Sequence, residues 1–343
     1  MVIHLILHRR SAIILATILF VFLSTGLAAT ETRGGPGTIH RERGGYFPGI
    51  YFTDTINAII RAENTSPYWV RTQTEQEAFN RRVSDYESLL LNNDILAYYG
   101  HPRSRNMGIL GRYPIEELYR RISVTAENYE AVSGGRNVIK AFHIIYGTVW
   151  PEGAIGYISN DLIRQWIEFA LERDMLVFID HQIGRFDPVA SVSRMFPWLR
   201  CPNVHLAFDP EWRTTAPMRE IGYVTGEEIN RIQQAMEDYI YANDITGERL
   251  LIVHQFNWRM IRNRENVRTD FPRVRLIHNI AGIGSPQMKR ETYAYFAPST
   301  NMPIKGFKLW YSGGAPGTTY DSPLMTPAQV YALNPRPYLI MYQ

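Results

Sequence analysis

Cysteine is almost missing: Cys201 stands alone in 343 residues, so neither an intrachain disulfide nor a cysteine-based zinc site can form. Lysine is scarce as well. It occurs only at Lys140, Lys289, Lys305 and Lys308, and arginine carries the rest of the positive charge. A lysine in this chain is therefore a residue to notice. The net charge is only +3, which lacks the basic excess of a nucleic-acid-binding domain. Charged residues at 20% and hydrophobic ones at 45% exclude intrinsic disorder and a multi-span membrane protein, and they leave ample material for a core. No glycine-rich phosphate loop, His-x-His pair after the first strand or His-Glu-x-x-His helix is present. No cofactor is expected.

The long apolar run from Ala12 to Ala29 follows Arg9 and Arg10. That order reads as an export signal, with Gly26 and Ala28 suiting a small-x-small cleavage site. Its length is also close to that of a membrane span, so an uncleaved anchor attached to the membrane is the alternative. Residues 30–72 begin as a glycine-rich tether, with glycines from Gly34 to Gly49, and continue as a poorly defined segment. Residues 73–343 form the folded domain. Its first element is an amphipathic helix over 75–91, marked by Phe79, Val83, Tyr86, Leu89 and Leu90 at helical spacing.

Short apolar runs then recur at 95–100, 138–146, 176–180, 204–209, 250–254, 274–278, 304–311 and 338–342. Between them lie helix-like stretches at 115–122, 160–172, 189–199, 227–241, 258–263, 285–295 and 327–333. Buried strands alternating with helices call for a parallel sheet covered on both faces. Eight such units predict an α/β fold of the (β/α)8, or TIM-barrel, type. The chain printed here stops at Gln343, directly after strand eight, so the helix at 75–91 is expected to replace the last helix of the outer ring.

In such barrels the segments after the strands build the active site, and alternation assigns faces. Leu206 and Phe208 pack on helices, which turns His205 and Asp209 inward, with Glu211 following on the same side. Val177 and Ile179 face out, so Asp180 and Gln182 face in. Phe307 and Leu309 leave Gly306, Lys308 and Trp310 within. His254 is expected inside with Gln255 competing, and parity leaves His143, His278 and Asn279 open. Asp180, Asp209 and Glu211 thus become candidate catalytic acids. Two neighbouring carboxyls repel, which raises one pKa and suits a general acid beside an ionised partner, the requirement of glycosidic hydrolysis. The same acids could instead form salt bridges with Arg185 or Arg213. Trp150, Trp212, Trp258, Trp310 and Tyr311 lie at strand ends, where flat rings could stack on sugars. His101, Gln182, Trp212, His254, Gln255, Asn279, Lys308, Trp310 and Tyr311 are the candidate substrate-binding residues for a glycan or other small polar substrate. His101, His181, His254 and His278 also sit at strand ends and offer a competing metal reading, with Asp180, His254 and Asp209 as ligands.

Six motifs carry a resemblance: Tyr-Gly-His-Pro at 99–102, Asp-x-Gln-x-Gly-Arg at 180–185, Asp-Pro-Glu-Trp at 209–212, His-Gln-Phe at 254–256, Gly-Phe-Lys-Leu-Trp-Tyr at 306–311 and Met-Thr-Pro-Ala-Gln-Val at 325–330. On these the chain, over residues 94–343, resembles a family of exported bacterial barrel proteins of actinobacterial type, for which no reaction is established. Where that family tends to carry an acid before the glycine after strand six, this chain has Ala281-Gly282, which puts an essential role for that acid in doubt. A fainter likeness, confined to strand four, is to barrel glycosidases of the chitinase-like and lysozyme-like groups. It implies that Glu211 is the proton donor and Asp209 its partner. The longer acidic signature of chitinases is missing, because His205 and Ala207 hold the preceding inward positions. The expected function is an exported glycosidase-like hydrolase. The alternatives are a metal-dependent hydrolase and a barrel that binds an envelope ligand without turnover.

Overall fold

The computed structural model describes residues 89–313 and 319–343. Eight parallel strands follow the eight apolar runs: β1 (Asn93–Gly100), β2 (Asn137–Val149), β3 (Leu176–Gln182), β4 (Val204–Asp209), β5 (Arg249–Gln255), β6 (Val274–Ile280), β7 (Lys305–Leu309) and β8 (Leu339–Tyr342). Each pairs with its successor. β8 returns to β1 with Leu339 opposite Ile95, while Asn93 of β1 lies opposite Asn137 of β2. The sheet closes into a barrel with no free edge, the (β/α)8 architecture.

The helices are α1 (Ile115–Glu130), α2 (Asn160–Leu171), α3 (Pro188–Ser193), α4 (Gly226–Ala242), α5 (Pro286–Phe296) and α6 (Pro327–Tyr331). Five of them begin at a polar residue whose side chain accepts a backbone N–H of the first turn: Ser159, Asp187, Thr225, Ser285 and Thr326. Such caps satisfy donors that a helix start otherwise leaves unpaired. Two expected helices differ. The 189–199 stretch splits into α3 and a 3-10 turn at Phe196–Arg200, where Pro197 sits near the start of the turn. The 258–263 stretch is a 3-10 turn (Trp258–Met260) followed by a two-residue strand, Ile261–Arg262, which pairs with Val224–Thr225. That stretch has too few residues to nucleate a helix once Asn257 caps the turn.

Alternation divides the core into two layers. Ile95, Ala97, Ile139, Ala141, Phe178, Ala207, Ile252, Ile277 and Met341 fill the barrel interior. Leu96, Phe142, Val177, Leu206, Leu251, Leu276, Phe307 and Ile340 face the helices. The expected helix over 75–91 lies outside the described residues except for its last three, which form a turn. Leu90 of that turn belongs to the interior cluster and plugs the floor of the barrel. Arg136 fixes this entry: its guanidinium donates to the carbonyls of Leu90, Leu91 and Asn93 and pairs with buried Asp94 at 2.8 Å. Arg336 holds the other oxygen of Asp94.

Tyrosines line the seam between β8 and β1. Tyr342 and Tyr129 of α1 share a hydrogen bond of 2.9 Å, Tyr98 bonds Thr125 at 2.9 Å, and Tyr331 of α6 packs edge-on to Tyr129. Among the described residues no helix is long and apolar enough to cross a membrane. The expected signal or anchor lies outside them.

Candidate active site

The carboxyl ends of β2 to β7 bring one group of polar side chains to the axis. Asp180 is its centre. One oxygen, Oδ2, faces Nε2 of His143 at 2.8 Å and Nε2 of His254 at 3.0 Å. His254 Nδ1 in turn accepts from the amide of Asn279 at 3.1 Å, which leaves the His254 proton on Nε2, donated to Asp180. All four residues are buried. Burial alone would raise the Asp180 carboxyl, but the two imidazoles outweigh it and hold Asp180 well below the usual carboxylate range. Burial lowers His143 to about 4 against the pull of Asp180, so this imidazole is neutral. The centre is an ionised carboxylate held by two histidine N–H groups.

The Asp-Pro-Glu-Trp segment ends β4 and turns at once. Pro210–Trp212 is a 3-10 turn capped by Asp209, whose Oδ1 accepts the Glu211 N–H at 3.1 Å. Proline suits this turn because its fixed φ matches the first position and its missing N–H is not needed there. Asp209 and Glu211 are therefore neighbours at the mouth. Burial raises both, and each acid's position is also set by charges nearby: Asp180 pushes Asp209 up while His254 and Lys308 pull it down. Glu211 is raised further, by burial and then by Asp209, with Lys308 countering only in part. Glu211 is the acid that keeps its proton longest as pH rises. Neither Arg185 nor Arg213 neutralises these acids: Arg213 pairs with Glu228 at 2.9 Å, and Arg185 makes no ion pair among the described residues.

Lys308 completes the group. Its ammonium lies 3.8 Å from the ring centre of Tyr99 and 4.5 Å from that of Trp310, positions that favour a cation. Burial lowers it to about 8, although Asp209, Asp180 and Glu211 pull it upward. The Tyr99 hydroxyl, buried and near the same three acids, is raised well above its ordinary value and stays a neutral donor. Several buried atoms around this centre have no hydrogen-bond partner among the described residues: Asp180 Oδ1, His143 Nδ1, Asn279 Oδ1 and Trp310 Nε1. Buried polar atoms are normally satisfied, so these atoms mark where a polar ligand would bind.

Among the residues expected at the site, Asp180, Asp209, Glu211, His254, Asn279, Lys308 and Trp310 come together. Gln182 faces the same interior and spends its Oε1 on the Val149 N–H at 2.8 Å, which positions the end of β2. Four expectations are corrected. Gln255 lies in the helix-facing layer, bonded to His278 at 2.7 Å, because Leu250, Ile252 and His254 take the inward parity. Tyr311 stacks on Tyr342 with ring centres 4.9 Å apart in the outer tyrosine cluster. Trp212 is buried against Val149, Ile155 and Met218, which removes the open ring face that stacking requires. His101 folds into its own loop, its Nδ1 accepting the Arg103 N–H at 3.1 Å. His181 and His278 also face away, toward Tyr157 and Gln255. Trp150 and Trp258 are exposed.

His143 and Tyr99 were the residues that sequence reasoning did not place. Both sit in strands with apolar or aromatic side chains on both parities, so alternation carried no sign. The metal reading changes membership for the same reason: the ligand atoms that lie within 4.8 Å of one another belong to His143, Asp180 and His254, with His143 in place of Asp209.

No protein-family model and no curated sequence matches the chain. Among solved structures, a chitinase from Chromobacterium violaceum is similar at a TM-score of 0.31 and 10% identity, over 63% of this chain and 68% of that one. A broad-specificity GH5-4 endoglucanase from Clostridum cellulovorans is similar at 0.32 and 12%, over 64% and 75%. At those values the chemistry rests on the residues described above.

Proposed function

We propose that the protein is an exported glycoside hydrolase acting on a glycan, such as a cell-envelope polysaccharide. The observation that carries this reading is the pairing at one barrel mouth of Asp180, held ionised by two histidines, with Glu211, held protonated by burial and by Asp209. Two carboxyls pushed apart in this way are an acid and a base or charge stabiliser in one pocket. Glu211 gives its proton to the glycosidic oxygen as the bond from the sugar's anomeric carbon to that oxygen breaks. Asp209 or Asp180 stabilises the positive charge on the sugar or takes a proton from the water that completes hydrolysis. Lys308, Asn279 and Trp310 bind and orient the ring. The motif resemblance to exported actinobacterial barrel proteins belongs to this reading, as do the N-terminal export signal and membrane attachment through it. Hydrolysis of a glycan panel with product analysis finds the substrate. On that substrate Glu211→Gln is expected to lower kcat by about a thousandfold with an unchanged melting temperature, and unaltered turnover would reject the role.

One observation favours a second reading, a metal-dependent hydrolase. With the Asn279 amide turned over, its unpartnered Oδ1 would accept the His254 Nδ1–H and free Nε2. His143, Asp180 and His254 would then offer two imidazoles and a carboxylate to a divalent ion. Metal analysis of active protein separates the readings, because full activity in a metal-free sample removes this one.

A further inference from the structure

A second feature opens beside the mouth. A cleft of about 760 Å³ is lined by segments that follow β3, β4 and β5, the strands that carry Asp180, Asp209 and His254. Its wall is tied to the turn that carries the candidate acid, since Gly222 donates its N–H to the main-chain carbonyl of Glu211 at 2.6 Å.

The lining is strongly basic. It includes Arg185, Arg213, Arg219, Arg259 and Arg262 with a single acid, Glu220. Arg213 is already balanced by Glu228, and Glu220 accepts a hydrogen bond from Thr214. The other four guanidiniums make no ion pair with a carboxylate among the described residues. Arg262 lies 3.3 Å from the ring centre of Tyr223, Arg259 stands beside exposed Trp258, and Arg185 beside exposed Phe186. Four positive charges gathered in a concave surface repel one another and raise the local concentration of anions. A planar guanidinium offers paired donors that match a carboxylate, sulfate or phosphate, and the adjacent rings offer flat apolar faces to sugar units.

The geometry points to a binding subsite for an anionic glycan, one whose successive sugars carry carboxylate, sulfate or phosphate groups. The inference rests on the glycan reading above and names the class of substrate. It also gives the two regions separate tasks: the inner mouth, with its acids, Lys308 and aromatic rings, holds the reacting sugar, and the arginine-lined cleft holds the chain that extends from it.

The test measures binding by calorimetry on the full chain with three probes of equal length: an oligogalacturonate, a sulfated chondroitin oligosaccharide and a neutral chito-oligosaccharide. One of the two anionic probes is expected to bind more tightly than the neutral one and to weaken as salt is added, and which of the two binds more tightly identifies the anionic group. The triple variant Arg185→Gln, Arg219→Gln, Arg259→Gln changes only exposed side chains. It is expected to keep the melting curve of the parent and lose about a hundredfold in affinity for the anionic probe. Equal affinity for charged and neutral probes would overturn the subsite, as would an unchanged anionic affinity in the triple variant. Anionic binding without cleavage would leave the subsite standing and remove the hydrolase. Cleavage of neutral glycans with no anionic preference would do the reverse.

Discussion

Lys308 sets the working range of the acids around it. It pulls Glu211 down against burial and the repulsion of Asp209, and it joins His254 in pulling Asp209 down. A general acid acts while protonated, so activity should fall as pH rises through the raised value of Glu211, above the ordinary carboxyl range of about 4.3. Removing the ammonium in Lys308→Met is expected to raise Glu211 further and move that basic limb to higher pH, read from kcat/KM against pH. A limb that stays in place would mean another group controls it. The same residues pull stability in opposite directions. Asp180 is depressed in the folded state, so its contribution is present above about 3.9 and lost as pH falls through its folded value. Glu211 is raised, so it costs stability once pH passes about 4.3, where the unfolded chain would release the proton. In the sequence, Asp180, Asp209 and Lys308 could be assigned inward because apolar residues hold the other parity of their strands, whereas Glu211, in the turn beyond β4, was assigned only by its spacing from Asp209. The sequence could not separate Gln255 from His254, where hydrogen-bonded polar residues take both faces of one strand, or place His143, whose strand carries apolar or aromatic side chains on both.

At the level of elements, each apolar run matched a strand because a strand buried on both faces reads as a near-continuous apolar stretch. The helices were legible wherever an apolar stripe had a cap, as at Thr225 and Ser285. The turns after β4 and β5 were less so, since short 3-10 segments leave no periodicity to detect. The loop before β1 takes most of its side-chain hydrogen bonds from Arg136, with Asn93 and Glu248 each holding Leu89. Arg136 satisfies three carbonyls and the buried Asp94 together. Arg136→Met is expected to destabilise the barrel by about 3 kcal/mol, measured by urea unfolding, with activity per folded molecule retained because the clamp lies at the end opposite the acids. A loss below about 0.5 kcal/mol, the range of an ordinary surface change, would show that Arg336 alone suffices for Asp94.

For the molecule as a whole, closure is the property that matters. β8 is the shortest link, four residues between β7 and β1, and the tyrosine seam depends on Tyr342. Ending the chain at Tyr338 would open the edges of β1 and β7 and uncover the interior cluster. No cooperative unfolding transition is expected from that truncation by calorimetry. A sharp transition would mean that the seam is dispensable. The number of strands and their order could be read from the sequence. The seam could not, because tyrosines in an outer layer look the same as tyrosines in a pocket until the chain is closed.

The scarcity of lysine has a practical side. Lys289 donates to the carbonyls of Gly282 and Lys308 and pairs with Asp321, Lys305 donates to Ser299 and Met302, and Lys308 stands among the acids. All three are at most 4% exposed. Of the four lysines only Lys140, partly exposed beside Tyr119, is within reach of acylating reagents on the intact barrel. Amine-directed dyes, cross-linkers and resin couplings will therefore attach at one lysine besides the α-amine of the chain, and acylation of any further lysine is a direct count of molecules that have come open.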